Sequence, residues 1–342
     1  MGKFNDVLLF SDYDDTLYNH RLEVSAENKA AIHYFIREGG RFSIATGRAH
    51  RTFTPQIAKE GLEFNAPVVL SNGAAIYDYS QDRYLVRTQL TPDTPERVEQ
   101  LCGEFPDLAF EAYFGEEIYV HNPNVVTMKH LERVAVPYHT CSVDRMPRPW
   151  NKVIMEQDGP YLRRVQQYLL ERWGGDYEAI FSNKYLLELT DKGSNKGAMV
   201  AKVARMLSIP PERVYCIGDN QNDIPMLALS AIPFAPANCA QQVKDWAPGC
   251  WATATTTPSP RPLKSWMAST KKRTKNTRSA SAERVFYLKK PRIVHAVRRE
   301  IGRFAFNCDM RAAETSLGPQ RARRRLPLAD MNALPQTVTC QR

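Results

Sequence analysis

The chain has 342 residues, 43% hydrophobic and 24% charged, the composition of a folded globular protein long enough for two domains with ordinary cores. A formal charge of +9 would suggest nucleic acid or an anionic surface as partner, but it is unevenly spread: residues 1–250 hold 26 basic and 32 acidic side chains (−6), residues 251–342 hold 20 and 5 (+15). No stretch reaches the roughly 18 apolar residues of a membrane span, and the seven cysteines are odd in number and form no CxxC pair, so neither a membrane anchor nor a disulfide framework is expected, and a cytoplasmic setting with reduced thiols fits best.

Val7 to Phe10 is a short apolar run that ends in a polar loop, the pattern of a strand buried on both faces of a parallel sheet. Ser25 to Glu38 follows as a helix, with Ala30, Ala31, Tyr34 and Phe35 at helical spacing, Ser25 placed to cap it and Gly39-Gly40 to stop it. Phe42 to Ala45 and Pro67 to Leu70 read as the next strands, running into Thr46-Gly47-Arg48 and Ser71-Asn72-Gly73. Far downstream Lys196 to Leu207 is helical, and Val214 to Ile217 is another apolar strand that ends at Gly218-Asp219. Strands alternating with helices predict an α/β fold with a Rossmann-like, doubly wound parallel sheet, whose ligands bind at the C-terminal ends of the strands.

Between residues 83 and 186 the pattern changes to a helix from Thr94, an alternating pair from Leu108 to Tyr119 around Gly115, a strand at Lys152 to Glu156, a helix at Tyr161 to Trp173 and two closing strands. This predicts an inserted α+β cap domain. The expected organisation is a core of residues 1–82 and 187–250, a cap of residues 83–186, and an atypical basic tail of residues 251–342, where Thr, Pro, Lys and Arg replace periodicity.

The sharpest chemical signal is Ser11-Asp12-Tyr13-Asp14-Asp15-Thr16-Leu17, directly after the first strand. In a tight loop past a strand end, Asp12 and Asp14 can face one point, a geometry that suits metal-assisted attack on phosphorus, with one carboxylate as nucleophile and its neighbour as acid and base. Taken alone, an Asp-rich turn after a strand is as readily a solvated loop. The net negative charge of residues 1–250 does not oppose a phosphate ligand, because a local cluster of metal and lysine sets the field that a bound dianion feels.

The loop resembles the first motif, Asp-x-Asp-x-Thr, of the haloacid dehalogenase superfamily, and three further motifs follow in order at strand ends and a helix start. They are Thr46 in Ile44-Ala45-Thr46-Gly47-Arg48, Lys196 in Ser194-Asn195-Lys196-Gly197, and Gly218-Asp219-Asn220-Gln221-Asn222-Asp223. The insertion after the third strand and before the lysine is similar to that of the Cof-type, subclass IIB phosphatases. The resemblance implies a Mg²⁺-dependent phosphatase acting on small phosphorylated metabolites, sugar phosphates or similar, through an aspartyl-phosphate. In that reading Asp12 is the nucleophile, Asp14 the acid and base, and Thr46, Gly47, Lys196 and Asn222 meet the phosphoryl group. Asp12, Asp219 and the backbone carbonyl of Asp14 hold the metal, while Thr16 and Asp223 brace it from behind. Asn72-Gly73 falls at the pocket rim, Arg48 is equally readable as a surface pair, and Tyr113, His139, Trp150 and Lys152 are cap candidates for lining the pocket. Phosphotransfer of the phosphomutase type, with the same four motifs, is the alternative chemistry.

Two departures from the pattern stand out. The usual glycine between the acid/base aspartate and the threonine is Asp15, expected to face solvent. After Ala247 the family's closing strand, Asp-Gly turn and helix are not recognisable. Three readings of residues 251–342 follow: a basic arm for nucleic acid or anionic lipid with an amphipathic segment from Ile293 to Phe306, an extension without function, or, as the leading reading, an out-of-frame translation. Nucleic acid enters as a partner only through this tail, and the sequence leaves the oligomeric state open.

Overall fold

The computed structural model describes residues 2–19 and 21–246, together with the backbone of residues 338–339. The chain opens with β1 (Leu8–Ser11), α1 (Ala26–Arg37), β2 (Arg41–Ile44), α2 (His50–Glu60), β3 (Val68–Leu70), β4 (Ala75–Asp78) and β5 (Arg83–Arg87). All four residues of β1 are buried, as their apolar run requires of a central strand. It pairs in parallel with β2, Ser11 opposite Ile44, and on its other side with a later strand. Ser25 caps α1 by accepting from Asn28 N. A single parallel bridge, Ala45 to Val69, joins β2 to β3, beyond which β3, β4 and β5 are antiparallel.

The insertion comprises α3 (Thr94–Glu104), β6 (Ala109–Phe114), β7 (Glu117–His121), α4 (Val125–Val134), β8 (Tyr138–Thr140), β9 (Lys152–Glu156), α5 (Gly159–Trp173), β10 (Tyr177–Asn183) and β11 (Leu186–Asp191). These strands form one sheet in the order β10-β11-β9-β6-β7-β8, extended at its edge by a two-residue parallel strand, β14 (Val338–Thr339). The chain then returns to the core through α6 (Lys196–Met206), β12 (Val214–Ile217), α7 (Ile224–Leu229), β13 (Pro233–Phe234) and α8 (Gln241–Trp246), giving the core sheet the order β13-β12-β1-β2. β12 is the other parallel partner of β1, with Ser11 opposite Ile217.

The parallel α/β core and its α+β insertion thus follow the sequence pattern, with two adjustments at the joints. Arg83–Arg87, placed by sequence in the insertion, pairs with β4 of the core, and Leu186–Asp191, whose residues from 187 were placed in the core, pairs with β9 and β10 of the cap sheet. Hydrogen-bonded pairing decides both, and a single strand's composition does not reveal its partner. Apart from the backbone of Val338–Thr339, the tail of residues 251–342, including the segment 293–306, lies outside the described residues.

Strand alternation gives the cap sheet two different faces. Phe110 and Ala112, Val153 and Met155, and Leu187 and Leu189 point into an apolar layer that includes Val98 and Leu101 of α3 and Leu162, Val165 and Leu169 of α5. The intervening positions, Glu111 and Tyr113, Lys152, Ile154 and Glu156, and Glu188, take the opposite face, where the C-terminal ends of the core strands lie. No described helix is long and apolar enough to cross a membrane.

Candidate active site

Because β1, β2 and β12 end level with one another, the residues just past them converge. Asp12 N donates to Ile217 O at 2.8 Å, which continues the ladder one step and fixes Asp12 beside Asp219. The loop is anchored by Tyr13, fully buried, whose ring stacks on Tyr18 at 4.9 Å and meets Phe53 edge-on at 5.1 Å. Asp15 takes φ +61, a left-handed conformation that explains why glycine is the usual residue there. Its side chain is exposed, as expected from the sequence.

Lys196 is the first residue of α6, capped by Asn195, whose side chain accepts from Ala198 N at 2.9 Å. A tight turn brings this helix end to the site: Ser71, Asn72 and Gly73 have φ of +51, +51 and +102, and a Cβ on Gly73 would stand 2.4 Å from the Asn195 backbone. No side chain fits at Gly73, so this turn is more than a generic Asn-Gly corner.

Lys196 Nζ donates to Asp12 Oδ1 at 2.5 Å and to Asp223 Oδ1 at 2.6 Å, with all three side chains buried. The other oxygen of Asp223 accepts from the backbone N–H of Asp219 and of Asn220, at 2.9 and 3.0 Å. Thr16 Oγ1 donates to Asp219 Oδ1 at 2.9 Å. Asp223 and Thr16 therefore hold the other groups in place. Two carboxylates thus share one ammonium group, with a third, Asp219, beside them. Burial, then the charge of Asp223, raises Asp12 well above the carboxylate range despite Lys196, and the same two causes push Asp219 up to about 7. For Lys196 burial opposes the charge, but Asp12 and Asp223 outweigh it and hold the ammonium protonated.

Carboxylate oxygens of Asp12, Asp219 and Asp223 all lie within 4.8 Å of one another. An all-oxygen, negatively overcharged group of this kind could hold a hard divalent cation, which would remove the repulsion that raises Asp12 and Asp219. The residues present fit such an ion.

Thr46 is fully buried; its Oγ1 accepts from Arg48 N at 3.1 Å, leaving its O–H to donate. Asn222, lining the pocket, donates from Nδ2 to Asn72 Oδ1 at 3.0 Å, while Asn72 Nδ2 and Asn222 Oδ1 are buried without a hydrogen-bond partner among the described residues. Gly47 leaves its carbonyl to Lys152 Nζ at 2.9 Å, a cap-to-core bond, and Lys152 also pairs with Glu188 Oε2 at 3.2 Å.

Asp14, expected from the sequence to act as acid and base, is engaged by two guanidinium groups. Arg48 donates from Nε to Oδ2 at 2.9 Å and from Nη2 to Oδ1 at 2.7 Å, and Arg133 of the cap donates from Nη2 to Oδ1 at 2.9 Å. Burial alone would raise Asp14, but the Arg48 hydrogen bond and charge, aided by Arg133 and Lys196, hold it below its ordinary value. Arg48 is accordingly a site residue and no surface pair. Its guanidinium also lies 5.4 Å from the Tyr13 ring centroid.

On the cap side, Tyr113 and Lys152 line the pocket as anticipated. Trp150 and His139 do not: Trp150 is buried in the cap's apolar layer and donates to Pro147 O at 2.9 Å, and His139 stacks on Tyr119 at 5.0 Å. Large aromatic surface took both away from the site. Sequence reasoning missed α4, which delivers His130 and Arg133. His130 Nδ1 lies 2.8 Å from Glu111 Oε1 and 3.3 Å from Glu156 Oε1, two fully buried carboxylates on β6 and β9. Burial would lower His130, but Glu111 and Glu156 push it up to about 10, while burial and the charge of Glu111 push Glu156 up to about 7. The available signal was the charged residue at alternate positions of Lys152-Val-Ile-Met-Glu156 and Leu187-Glu188-Leu189, strands otherwise apolar.

Residues 9–257 match the family model of the haloacid dehalogenase-like hydrolases. Among curated proteins, phosphatase YwpJ of Bacillus subtilis is 26% identical over 267 residues, covering 69% of this chain and 91% of its own. The 5-amino-6-(5-phospho-D-ribitylamino)uracil phosphatase YwtE of the same organism is 24% identical over 262 residues, 68% of this chain and 88% of its own. Two solved structures share the fold: a haloacid dehalogenase-like hydrolase from Bacteroides thetaiotaomicron (TM-score 0.61, 23% identity, 78% of this chain and 99% of that one) and a subclass IIB sugar phosphatase (TM-score 0.63, 19% identity, 78% and 98%). With the ordered motifs assembled at one point and a cap inserted between the third strand and the lysine, the chain belongs to the haloacid dehalogenase-like hydrolases.

Proposed function

We propose that the chain is a Mg²⁺-dependent phosphatase that hydrolyses small phosphomonoesters, sugar phosphates or similar metabolites, through a phosphorylated Asp12. The observation that carries this reading is the buried Asp12–Lys196–Asp223 array beside Asp219, at the C-terminal end of the central strand. Phosphate esters resist attack because an anion must approach a dianion and an alkoxide must leave, so the site has to offset charge before it does anything else. Asp12, Asp219 and the backbone carbonyl of Asp14 would hold Mg²⁺, which would supply Lewis-acid neutralisation of the phosphoryl oxygens.

The chain's own residues do the rest. Lys196 holds Asp12 in line and sets a positive charge beside the reacting group, while the Thr46 O–H and the free Asn72 N–H face its oxygens. Asp12 Oδ attacks phosphorus as the bond to the leaving oxygen breaks, and Asp14 gives that oxygen a proton. Water then attacks the acyl phosphate, Asp14 takes its proton, inorganic phosphate departs and Asp12 is restored. Asp14 must therefore release at least one guanidinium and take up a proton from solvent before the first step; the proton it takes from water in the second step readies it for the next cycle.

Release of inorganic phosphate from p-nitrophenyl phosphate in the presence of Mg²⁺, abolished in Asp12→Asn, is the test. Full turnover in excess chelator, or retained by Asp12→Asn, would overturn the reading.

A further inference from the structure

We propose that Arg133 forms a subsite for a second anionic group, a carboxylate or a further phosphate, on the leaving part of the substrate; this rests on the phosphatase reading. Among the described residues five cationic side chains lie at the site, and four are largely buried against acidic or carbonyl partners. Lys196 bridges Asp12 and Asp223, Lys152 bridges Glu188 and the Gly47 carbonyl, and His130 sits between Glu111 and Glu156. Arg48 spends its Nε and Nη2 on Asp14 and its side chain is 9% exposed.

Arg133 differs from these on each point. It gives Asp14 one N–H, from Nη2, its side chain is 47% exposed, and it lines the pocket from the cap. A guanidinium carries five N–H donors in a planar fork, so most of its capacity is left for a ligand in the pocket that it lines. The groups that meet the reacting phosphoryl lie on the core, whereas Arg133 lies on α4, over the leaving group. Ser182, whose Oγ has no hydrogen-bond partner among the described residues, lines the same pocket. A bidentate anion on the leaving group matches the fork better than one carboxylate oxygen does, so its arrival draws Arg133 from Asp14 and uncovers that carboxylate where it is needed.

His130 precedes Arg133 by nearly one helical turn, and its tie to Glu111 and Glu156 fixes α4 on the sheet. Arg133 is therefore held at a set distance from the core strand ends and can measure the leaving group's length.

The test is competitive inhibition of p-nitrophenyl phosphate hydrolysis by two matched pairs, 6-phosphogluconate against glucose 6-phosphate and fructose 1,6-bisphosphate against fructose 6-phosphate. The wild type should bind the member with the extra anion about tenfold more tightly in at least one pair, the pair that responds separating carboxylate from phosphate. Arg133→Gln should bring that ratio to within about twofold, and Arg133→Lys should keep part of it, because charge survives without the fork. Equal inhibition within both pairs, or a ratio unchanged in Arg133→Gln, overturns the subsite alone. Absence of p-nitrophenyl phosphate hydrolysis by the wild type overturns the phosphatase reading and the subsite with it.

Discussion

Lys196 and Asp223, joined by a 2.6 Å ion pair across two loops, carry the site between them. Asp223 is fully buried and its second oxygen serves two backbone N–H groups. Asp223→Ala would orphan both N–H groups and leave Lys196 with Asp12 alone, so it should cost about 3–5 kcal/mol of stability, read by denaturant unfolding, as well as activity. Asp223→Asn, which keeps the shape, should cost clearly less. Equal losses would mean that the charge pairing alone, and not the bonds to the two backbone N–H groups, is what Asp223 provides.

Asp12 is held in its place against its own electrostatic preference. Burial and Asp223 raise it, so ionising it disfavours the fold in the absence of metal. Asp12→Asn should abolish turnover yet unfold at a higher temperature than the wild type in chelator, the trade between site and stability expected of a strained active site. A lower melting temperature would show that the Lys196 contact outweighs the repulsion.

Mg²⁺ should stabilise the wild type by about 3 kcal/mol at roughly a hundredfold excess over its Kd. Asp219→Asn should lose most of that shift, since it removes one of the carboxylates grouped for the ion. Thermal scans with and without chelator read this independently of catalysis. A shift that survives in Asp219→Asn would place the ion elsewhere.

The cap cluster gives a pH dependence of defined sign. His130 at about 10 and Glu156 at about 7 both lie above their ordinary values of 6.5 and 4.5, so each adds stability that is complete below its ordinary value and lost as pH rises through the folded one. Glu111, held low by His130 against its burial, works in the opposite sense in acid, and Tyr113 and Lys152 face the cluster from β6 and β9. The melting temperature should therefore fall between pH 6 and pH 9.5, on the order of several degrees. Glu156→Gln, which removes the group titrating near 7, should flatten the part between pH 6 and pH 8. An unchanged slope there would show that another group is responsible.

Asp15 offers a local test of backbone strain. At φ +61 it occupies a region that β-branched residues avoid, so Asp15→Val should cost about 1–2 kcal/mol while Asp15→Gly should be close to neutral, measured by urea unfolding. Equal effects would remove backbone conformation as the reason glycine is usual there.

The core site was legible because each of its motifs is contiguous with an apolar strand or a helix start, so that the loop carrying Asp12, Asp14 and Thr16 could be placed at a strand end before any contact was known. The cap side was not. Arg133 and His130 sit in Val-Val-Thr-Met-Lys-His-Leu-Glu-Arg-Val, which reads as the solvated face of an ordinary helix, and Arg133 meets Asp14 at a separation of 119 residues. A pairing of that range has no local signature. Trp150 and His139 erred the other way, drawn to the site by residue type and kept from it by packing in the cap.

The join between cap and core has a consequence for the tempo of turnover. It is fastened largely by polar contacts: Lys152 to the Gly47 carbonyl, Arg133 to Asp14, Asn220 to the Ser182 carbonyl at 2.8 Å and Arg51 N to Glu116 at 3.0 Å. Each of these can be traded for water at little net cost, whereas an apolar seam would resist wetting. The lid is thus latched by bonds that solvent can pick one at a time, and the same water that loosens it is the reactant that completes the cycle.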